Sequence, residues 1–142
     1  MGNFRVIRRK IRQRIREVLR QELGINRFSS RTAALSAEDL PAALIYFPSE
    51  RLLDPLGDSQ ERELELRVEL ALQPREDPED EMFDLADQVE DILLSDPGLE
   101  ALVSTLDLES ADFIVDGEGD QVFATALQTY RVRYLSEDPR PV

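Results

Sequence analysis

Residues 63–72 alternate strictly between aliphatic side chains and charged or small ones. The aliphatic positions are Leu64, Leu66, Val68, Leu70 and Leu72. Because successive side chains of a strand point to opposite faces, this period of two predicts a β-strand with one apolar and one wet face. The apolar face needs a second layer to cover it, and the rest of the chain must supply that layer.

Two segments carry the helical period that such a layer requires. Residues 4–23 place apolar side chains at spacings of three and four, and Gly24 follows as a C-terminal cap. A second helix begins at Asp77-Pro78, an N-cap followed by a proline, and ends at Asp96-Pro97-Gly98. We expect the leucine face of the strand to pack on the two apolar stripes, represented by Ile7, Ile11, Ile15, Leu85, Val89 and Ile92.

Three further strands complete the expected sheet. Residues 42–47 form a short apolar run between prolines, and residues 103–115 change phase near Ser110, which predicts a bulge. The glycine-rich segment 116–120 predicts a hairpin loop into a long strand over 121–135. Residues 25–40 are mostly loop, with room for a short strand. The sequence thus predicts one α+β domain over 1–135, a four-stranded mostly antiparallel sheet with two helices on one face, and a flexible tail over 136–142.

Composition removes most kinds of catalytic chemistry. The chain has no cysteine and no histidine, which excludes disulfides, thiolate sites and histidine-based triads or zinc sites. The acids Asp112, Asp116, Glu118 and Asp120 suggest calcium, but Ile114 occupies a position where the ligand spacing needs an oxygen. A hairpin turn is therefore favoured, and we expect no enzyme activity, no cofactor and no metal. No apolar run reaches the roughly 20 residues that a bilayer span requires, so we expect cytoplasmic synthesis.

Charge is distributed unevenly along the chain. The first twenty residues hold eight basic side chains and one acid, which gives this segment a net charge of +7. Because the net charge of the whole chain is −13, the remaining residues carry a net charge of −20. One stripe of the first helix contains Arg5, Arg9, Arg12, Arg16 and Arg20. Like charges at these spacings repel, which an acidic partner would relieve. One stripe of the second helix contains Asp80, Asp84, Asp87 and Asp91. We expect these two stripes to meet between neighbouring subunits.

The arginine stripe leaves other interpretations open. A solvated helix face would explain it without any partner. A nucleic-acid-binding module would use it on phosphates, although the charge of −20 elsewhere opposes this and no aromatic residues are interleaved. A membrane-surface helix is a third alternative, but its apolar stripe is needed to cover the sheet.

Four stretches together resemble a known family: PAALIYF, RELELRVELAL, DPEDEMFDLADQVEDILLSDPGLEALV and LESADFIVDGEGDQVFATALQTYRVRY. Over residues 4–135 the chain is similar to the phage tail terminators of the minor tail protein U type. The resemblance implies a structural protein at the neck end of the virion tail, assembled in the host bacterial cytoplasm.

The resemblance also implies partners. Its members form a hexameric ring that binds the tail tube protein, stops tube growth and offers a docking surface to the head-tail connector protein. No membrane and no sequence-specific nucleic acid is implied, although genome DNA passes through such a ring. Related folds occur in other neck and tail-completion (head-tail joining) proteins, which is the alternative assignment.

Overall fold

The computed structural model describes residues 3–28, 40–54, 60–117 and 122–135, with side chains from Val6 onward. The described elements are α1 (Asn3–Leu23), β1 (Arg27–Phe28), β2 (Ala42–Leu52), β3 (Glu61–Leu72), α2 (Pro78–Ser95), α3 (Pro97–Glu100), β4 (Thr105–Asp116) and β5 (Phe123–Leu135). The strands form one sheet in the order β1-β2-β3-β5-β4, which makes β4 an edge strand. The helices α1 and α2 lie side by side on one face of this sheet. The fold is α+β.

The alternating segment is the central strand, and its expected burial is confirmed. Leu64, Leu66, Val68 and Leu70 are almost completely buried, whereas Leu72 is partly buried. Burying one such side chain contributes about 1.5–3 kcal/mol. The expected helix residues Ile7, Ile11, Ile15 and Val89 share this core, and Leu85 and Ile92 pack against its margin.

The sheet is mostly antiparallel, as predicted, but it has five strands and not four, and the additional strand makes it mixed. β1 has only two residues and pairs in parallel with the start of β2, through Arg27 and Ala42. Gly24 adopts a left-handed conformation with φ of 67°, which ends α1 and turns the chain back toward the sheet. Ile25 is then fully buried and anchors the segment that continues into β1.

The expected end of the second helix is also the start of a third. Asp96 follows α2 and is the N-cap of α3, where its carboxylate accepts a hydrogen bond of 2.9 Å from the amide of Leu99. Pro97 occupies the first turn of α3, a position that suits its fixed φ and missing N–H. The described chain therefore has three helices instead of two.

The remaining strands follow the sequence with shifted ends. β4 and β5 pair antiparallel, and their register shifts between Leu108 and Ser110, which confirms the predicted bulge. β2 continues past Pro48 to Leu52, with its own register shift against β3. Most of the predicted hairpin loop at 116–120 and the predicted tail over 136–142 lie outside the described residues.

The charged face of β3 has one exception to the expected exposure. Glu65, Arg67 and Glu69 are half-buried, but Glu63 is buried at 8% exposure. Its carboxylate lies among three arginines of neighbouring strands: Arg51 at 2.9 Å, Arg133 at 3.2 Å and Arg131 at 3.7 Å. Hydrogen bonds from Arg51 and Arg133, with the charge of Arg131, outweigh the desolvation of Glu63 and lower its pKa. Cross-strand charge pairing, not solvent, accommodates this glutamate.

Candidate assembly surfaces

The arginine stripe runs along the flank of α1 that faces β1 and β2. Arg9, Arg12 and Arg20 are exposed and Arg16 is half-buried; the side chain of Arg5 lies outside the described residues. None of the four arginines whose side chains are described forms an ion pair with another described residue. The stripe therefore offers cationic side chains that the described part of the chain leaves uncompensated.

Two aromatic rings lie within this basic flank. The guanidinium carbons of Arg16 and Arg20 each lie 5.7 Å from the centre of the Phe28 ring, a cation–π geometry. Further along α1, Phe47 of β2 lines a cleft of about 480 Å³ together with Arg8, Arg9 and Arg12. We call this surface the basic flank: Arg9, Arg12, Arg16, Arg20, Phe28 and Phe47.

Arg16 is the most constrained member of the basic flank. Its Nε is buried and has no hydrogen-bond partner among the described residues. Desolvation by burial, with smaller contributions from the charges of Arg12 and Arg20, lowers the pKa of its guanidinium. Three neighbouring like charges, one of them partly desolvated, are the arrangement in which an added carboxylate gains most.

The aspartate stripe is wholly exposed on α2. Asp80, Asp84, Asp87 and Asp91 face solvent, and none of them forms an ion pair within the described residues. The helix contains seven acidic residues and no basic one. Within one chain the structure does not bring this stripe to the arginine stripe, because α2 packs over β4 and β5 whereas α1 packs beside β2.

Sequence reasoning missed the ion pairs that join α1 to the rest of the chain. Arg14 binds both carboxylate oxygens of Asp96 at 2.8 Å, and Arg8 binds Glu50 at 3.2 Å. Glu50 also lies 3.4 Å from Arg62 and accepts a hydrogen bond from the hydroxyl of Tyr134. Neither Arg8 nor Arg14 belongs to the arginine stripe. Their position outside the stripe was the one feature of the sequence that could have indicated ion pairs within the subunit.

The sequence also missed an exposed apolar surface beside β4. Phe83 of α2 and Phe113 of β4 form an edge-to-face pair with ring centres 5.0 Å apart, yet they remain 39% and 41% exposed. Leu94 and Val115 are 45% and 42% exposed. The sequence placed Phe113 and Val115 in the strand predicted over residues 103–115, without showing which of its side chains are exposed and which are buried.

No site for chemistry is apparent among the described residues. They contain no group of three or more acidic residues placed to hold a metal ion, and Asp112 and Asp116 are both exposed. A cleft of about 560 Å³ beside Pro41 and Leu72 includes Glu81, whose carboxylate accepts hydrogen bonds from the amides of Arg75 and Glu76. These bonds lower the pKa of Glu81 and occupy it structurally. No helix in the described ranges has the length and apolar character of a membrane span.

The family model of phage minor tail protein U matches residues 6–134. The chain belongs to the phage minor tail protein U family. This match covers all the described secondary structure except the ends of α1 and β5, and it includes the aspartate stripe and all of the arginine stripe except Arg5. No curated protein matches the chain in sequence.

Membership in the minor tail protein U family indicates what these exposed surfaces are for. The family consists of structural components of the phage tail, so the chain has a structural role in the virion tail and assembles with other tail components. Its functional residues are then those available for contact with other proteins. Among the described side chains, the basic flank, the aspartate stripe and the Phe83–Phe113 pair are the exposed features best suited to such contacts.

Proposed function

We propose that this chain is a tail terminator: six copies form a ring that caps the tail tube, stops its polymerisation and presents the docking surface for the head connector. The family match supports a tail role, and the terminator function comes from the resemblance of the sequence to tail terminators. The observation that carries the ring is the placement of opposite charge. A basic flank whose arginines form no ion pair within the described residues lies on α1 beside β2, and an acidic helix lies over β4 and β5.

Placement on different elements matters for the symmetry of the assembly. A closed ring needs a heterologous contact in which two different patches of the subunit meet, whereas a self-complementary patch gives a two-fold dimer. The arginine stripe (Arg5, Arg9, Arg12, Arg16 and Arg20) and the aspartate stripe (Asp80, Asp84, Asp87 and Asp91) supply two such patches of opposite sign. In the proposed ring they meet across each of the six subunit contacts.

The length of the tail tube tests the proposed function in the phage. Deleting the gene for this chain should give tubes of irregular and excessive length without heads, and supplying it in trans should restore uniform tails. Electron microscopy measures both. A head-tail joining protein would behave differently, because its loss leaves tails of normal length that fail to attach. Tails of normal length that fail to attach to heads would indicate a tail-completion protein and contradict the terminator function.

The ring itself is tested on the purified protein. Native mass spectrometry should find six copies, and negative-stain images should show a closed ring with a central opening. A monomer that becomes a ring only on tail tubes would place assembly at the tube end. A two-fold dimer both alone and on tubes would contradict the ring.

A second candidate function is DNA contact by the basic flank. Phe28 and Phe47 lie among its arginines, an arrangement that single-stranded nucleic-acid sites also use. The acidic remainder of the chain opposes it, since a charge of −20 repels phosphate. Fluorescence anisotropy with short DNA should therefore show no binding at physiological salt, and salt-sensitive binding below the micromolar range would favour this candidate.

A further inference from the structure

The apolar surface beside β4 is more than isolated exposed side chains. Phe83 and Phe113 contact each other and are still about two-fifths exposed. Val115 is two residues beyond Phe113 and so on the same face of β4. Leu94 is eleven residues beyond Phe83, close to three helical turns, and so on the same side of α2. We call these four residues the apolar flank.

The chain does not need the apolar flank to cover its own sheet. The buried residues of α2 are Met82, Ala86, Val89 and Leu93, a stripe that already closes the core. Phe83 and Leu94 stand beside that stripe, on the side of the helix that faces the edge strand. An exposed aromatic pair with a further exposed apolar side chain on the same face of the strand is typical of protein contacts.

The charge around the apolar flank limits what can cover it. α2 carries seven acidic residues and β4 carries four, and neither element contains a basic residue. Asp87 is an exposed member of the acidic stripe on α2, whereas Asp112 is exposed on the other face of β4, the face that carries Ile114. An occupant must therefore bring apolar or aromatic surface together with positive charge, because like charges across a contact cost several kcal/mol.

The basic flank of a second copy has these properties. It combines Phe28 and Phe47 with Arg9, Arg12, Arg16 and Arg20, which form no ion pair among the residues that the structure describes. It lies at the opposite edge of the sheet, since α1 packs beside β2 and the strand order puts β1 and β2 far from β4. Because the two patches lie on opposite edges of one subunit, each copy can bind one neighbour through its basic flank and another through its apolar flank. A closed ring requires this arrangement.

We propose that the apolar flank, Phe83, Leu94, Phe113 and Val115, is the apolar centre of the subunit contact and binds the basic flank of the next copy. This inference rests on the proposed ring and adds the surface that supplies its affinity. Arginines and aromatic residues are the side chains that most often dominate such contacts. The aspartate stripe of α2 then forms the acidic rim of the contact.

Replacing the aromatic pair tests this centre. Phe83→Ser combined with Phe113→Ser should raise the subunit concentration at which half the protein is in rings by at least about tenfold. The matched control is Ile114→Ser, which removes an even more exposed side chain, 61%, on the opposite face of the same strand. The control should stay within about twofold of wild type. Rings of wild-type stability in the double variant would overturn the inference.

Folding of the variants is followed separately by circular dichroism and thermal melting of dilute protein. Should the double variant melt early, Phe83→Ser alone carries the test, because it alters an exposed helix position. A wild-type melt with weakened rings supports the apolar flank. A wild-type melt with unchanged rings overturns it.

Cross-linking between two single-cysteine variants separates this inference from the ring. The chain has no native cysteine, so Arg12→Cys and Asp87→Cys each create a unique site. A short bismaleimide should link the mixed variants and neither variant to itself. Linkage of Asp87→Cys to its own kind indicates a two-fold contact and overturns the inference. Mixed linkage without six-copy particles, even on tail tubes, supports the contact while contradicting the proposed ring; no linkage in a protein that does form rings overturns the contact alone.

Discussion

Asp96 shows how much of this fold depends on single side chains between elements. Its carboxylate receives two hydrogen bonds of 2.8 Å from Arg14 of α1 and one of 2.9 Å from the amide of Leu99. Arg14 passes so close to the backbone that a Cβ on Gly98 would lie 2.4 Å from its Nε. A charged pair, a helix cap and a glycine therefore lock α1 onto the junction of α2 and α3. The pairing of Arg14 with Asp96 could not be found from the sequence, because the two residues are 82 positions apart.

Changing Asp96 to asparagine should lower stability at neutral pH. We expect a loss of about 1–2 kcal/mol in the free energy of unfolding, because the bonds to a charged group weaken while solvent screens the 29% exposed Arg14 side chain. Urea denaturation measures the loss. Glu100→Gln, an exposed change in the same short helix, is the control and should have little effect.

The same variant gives a pH test. The hydrogen bond from Arg14 is the main cause that lowers the pKa of Asp96. A carboxyl with a lowered folded pKa stabilises the protein above its unfolded pKa of about 3.9, and this stabilisation is lost as pH falls through the folded pKa. The difference between wild type and Asp96→Asn should therefore be full at pH 7 and shrink below pH 4. A difference that stays constant down to pH 3 would show that the ionised pair does not contribute.

At the scale of elements, patterns that repeat within a segment were predictable and features set by distant packing were not. β3 and α2 each carry their hydrophobic period in their own residues, α2 is also flanked by its caps, and the bulge near Ser110 was visible as a phase change. β1 has two residues, too few for any period, and exists because Ile25 anchors the chain beside β2. The charged stripes could be found from spacing, but the Phe83–Phe113 pair depends on α2 crossing β4.

Adjacent leucines in α2 separate the core face of that helix from its exposed flank. Leu93 is 1% exposed and Leu94 is 45% exposed. Leu93→Ala should cost about 2–5 kcal/mol in unfolding free energy, because it opens a cavity in the core. Leu94→Ala should cost within about 0.5 kcal/mol in the dissociated subunit, since surface changes rarely exceed that. Equal losses in denaturant titrations would mean that the apolar flank belongs to the core of the subunit.

At the scale of the whole molecule, the two edges of the sheet present surfaces of different charge and chemistry. The edge beside α1 presents arginines and two aromatic rings, and the edge formed by β4 presents apolar side chains beside the acidic stripe of α2. Exposed ion pairs are worth at most about 1 kcal/mol each, so charge sets register and direction while apolar contact supplies most affinity. The assembly should consequently weaken with added salt without being abolished.

Charge reversal on α1 tests this division at the level of the assembly. Arg9→Glu with Arg12→Glu should weaken rings by one to two powers of ten, because two attractions become repulsions of on the order of 1 kcal/mol each. Arg9 and Arg12 are preferable to Arg16, whose burial and contact with Phe28 would confound the result. The control, Lys10→Glu with Arg75→Glu, changes the net charge equally at exposed positions off the stripe. It should assemble like wild type.

Reversing the acidic side of the contact should restore what the first reversal removes. Asp84→Arg with Asp87→Arg, added to Arg9→Glu with Arg12→Glu, should regain most of the ring stability, because opposite charges face each other again in exchanged order. The rescue should shrink as salt is raised, since the restored attraction between exposed charges is screened beyond about 8 Å at physiological ionic strength. Native mass spectrometry over a concentration series measures both effects. Rescue by the aspartate reversals identifies α2 as the partner of the arginine stripe, whereas failure of rescue in a folded subunit assigns the arginines to an acidic surface outside α2.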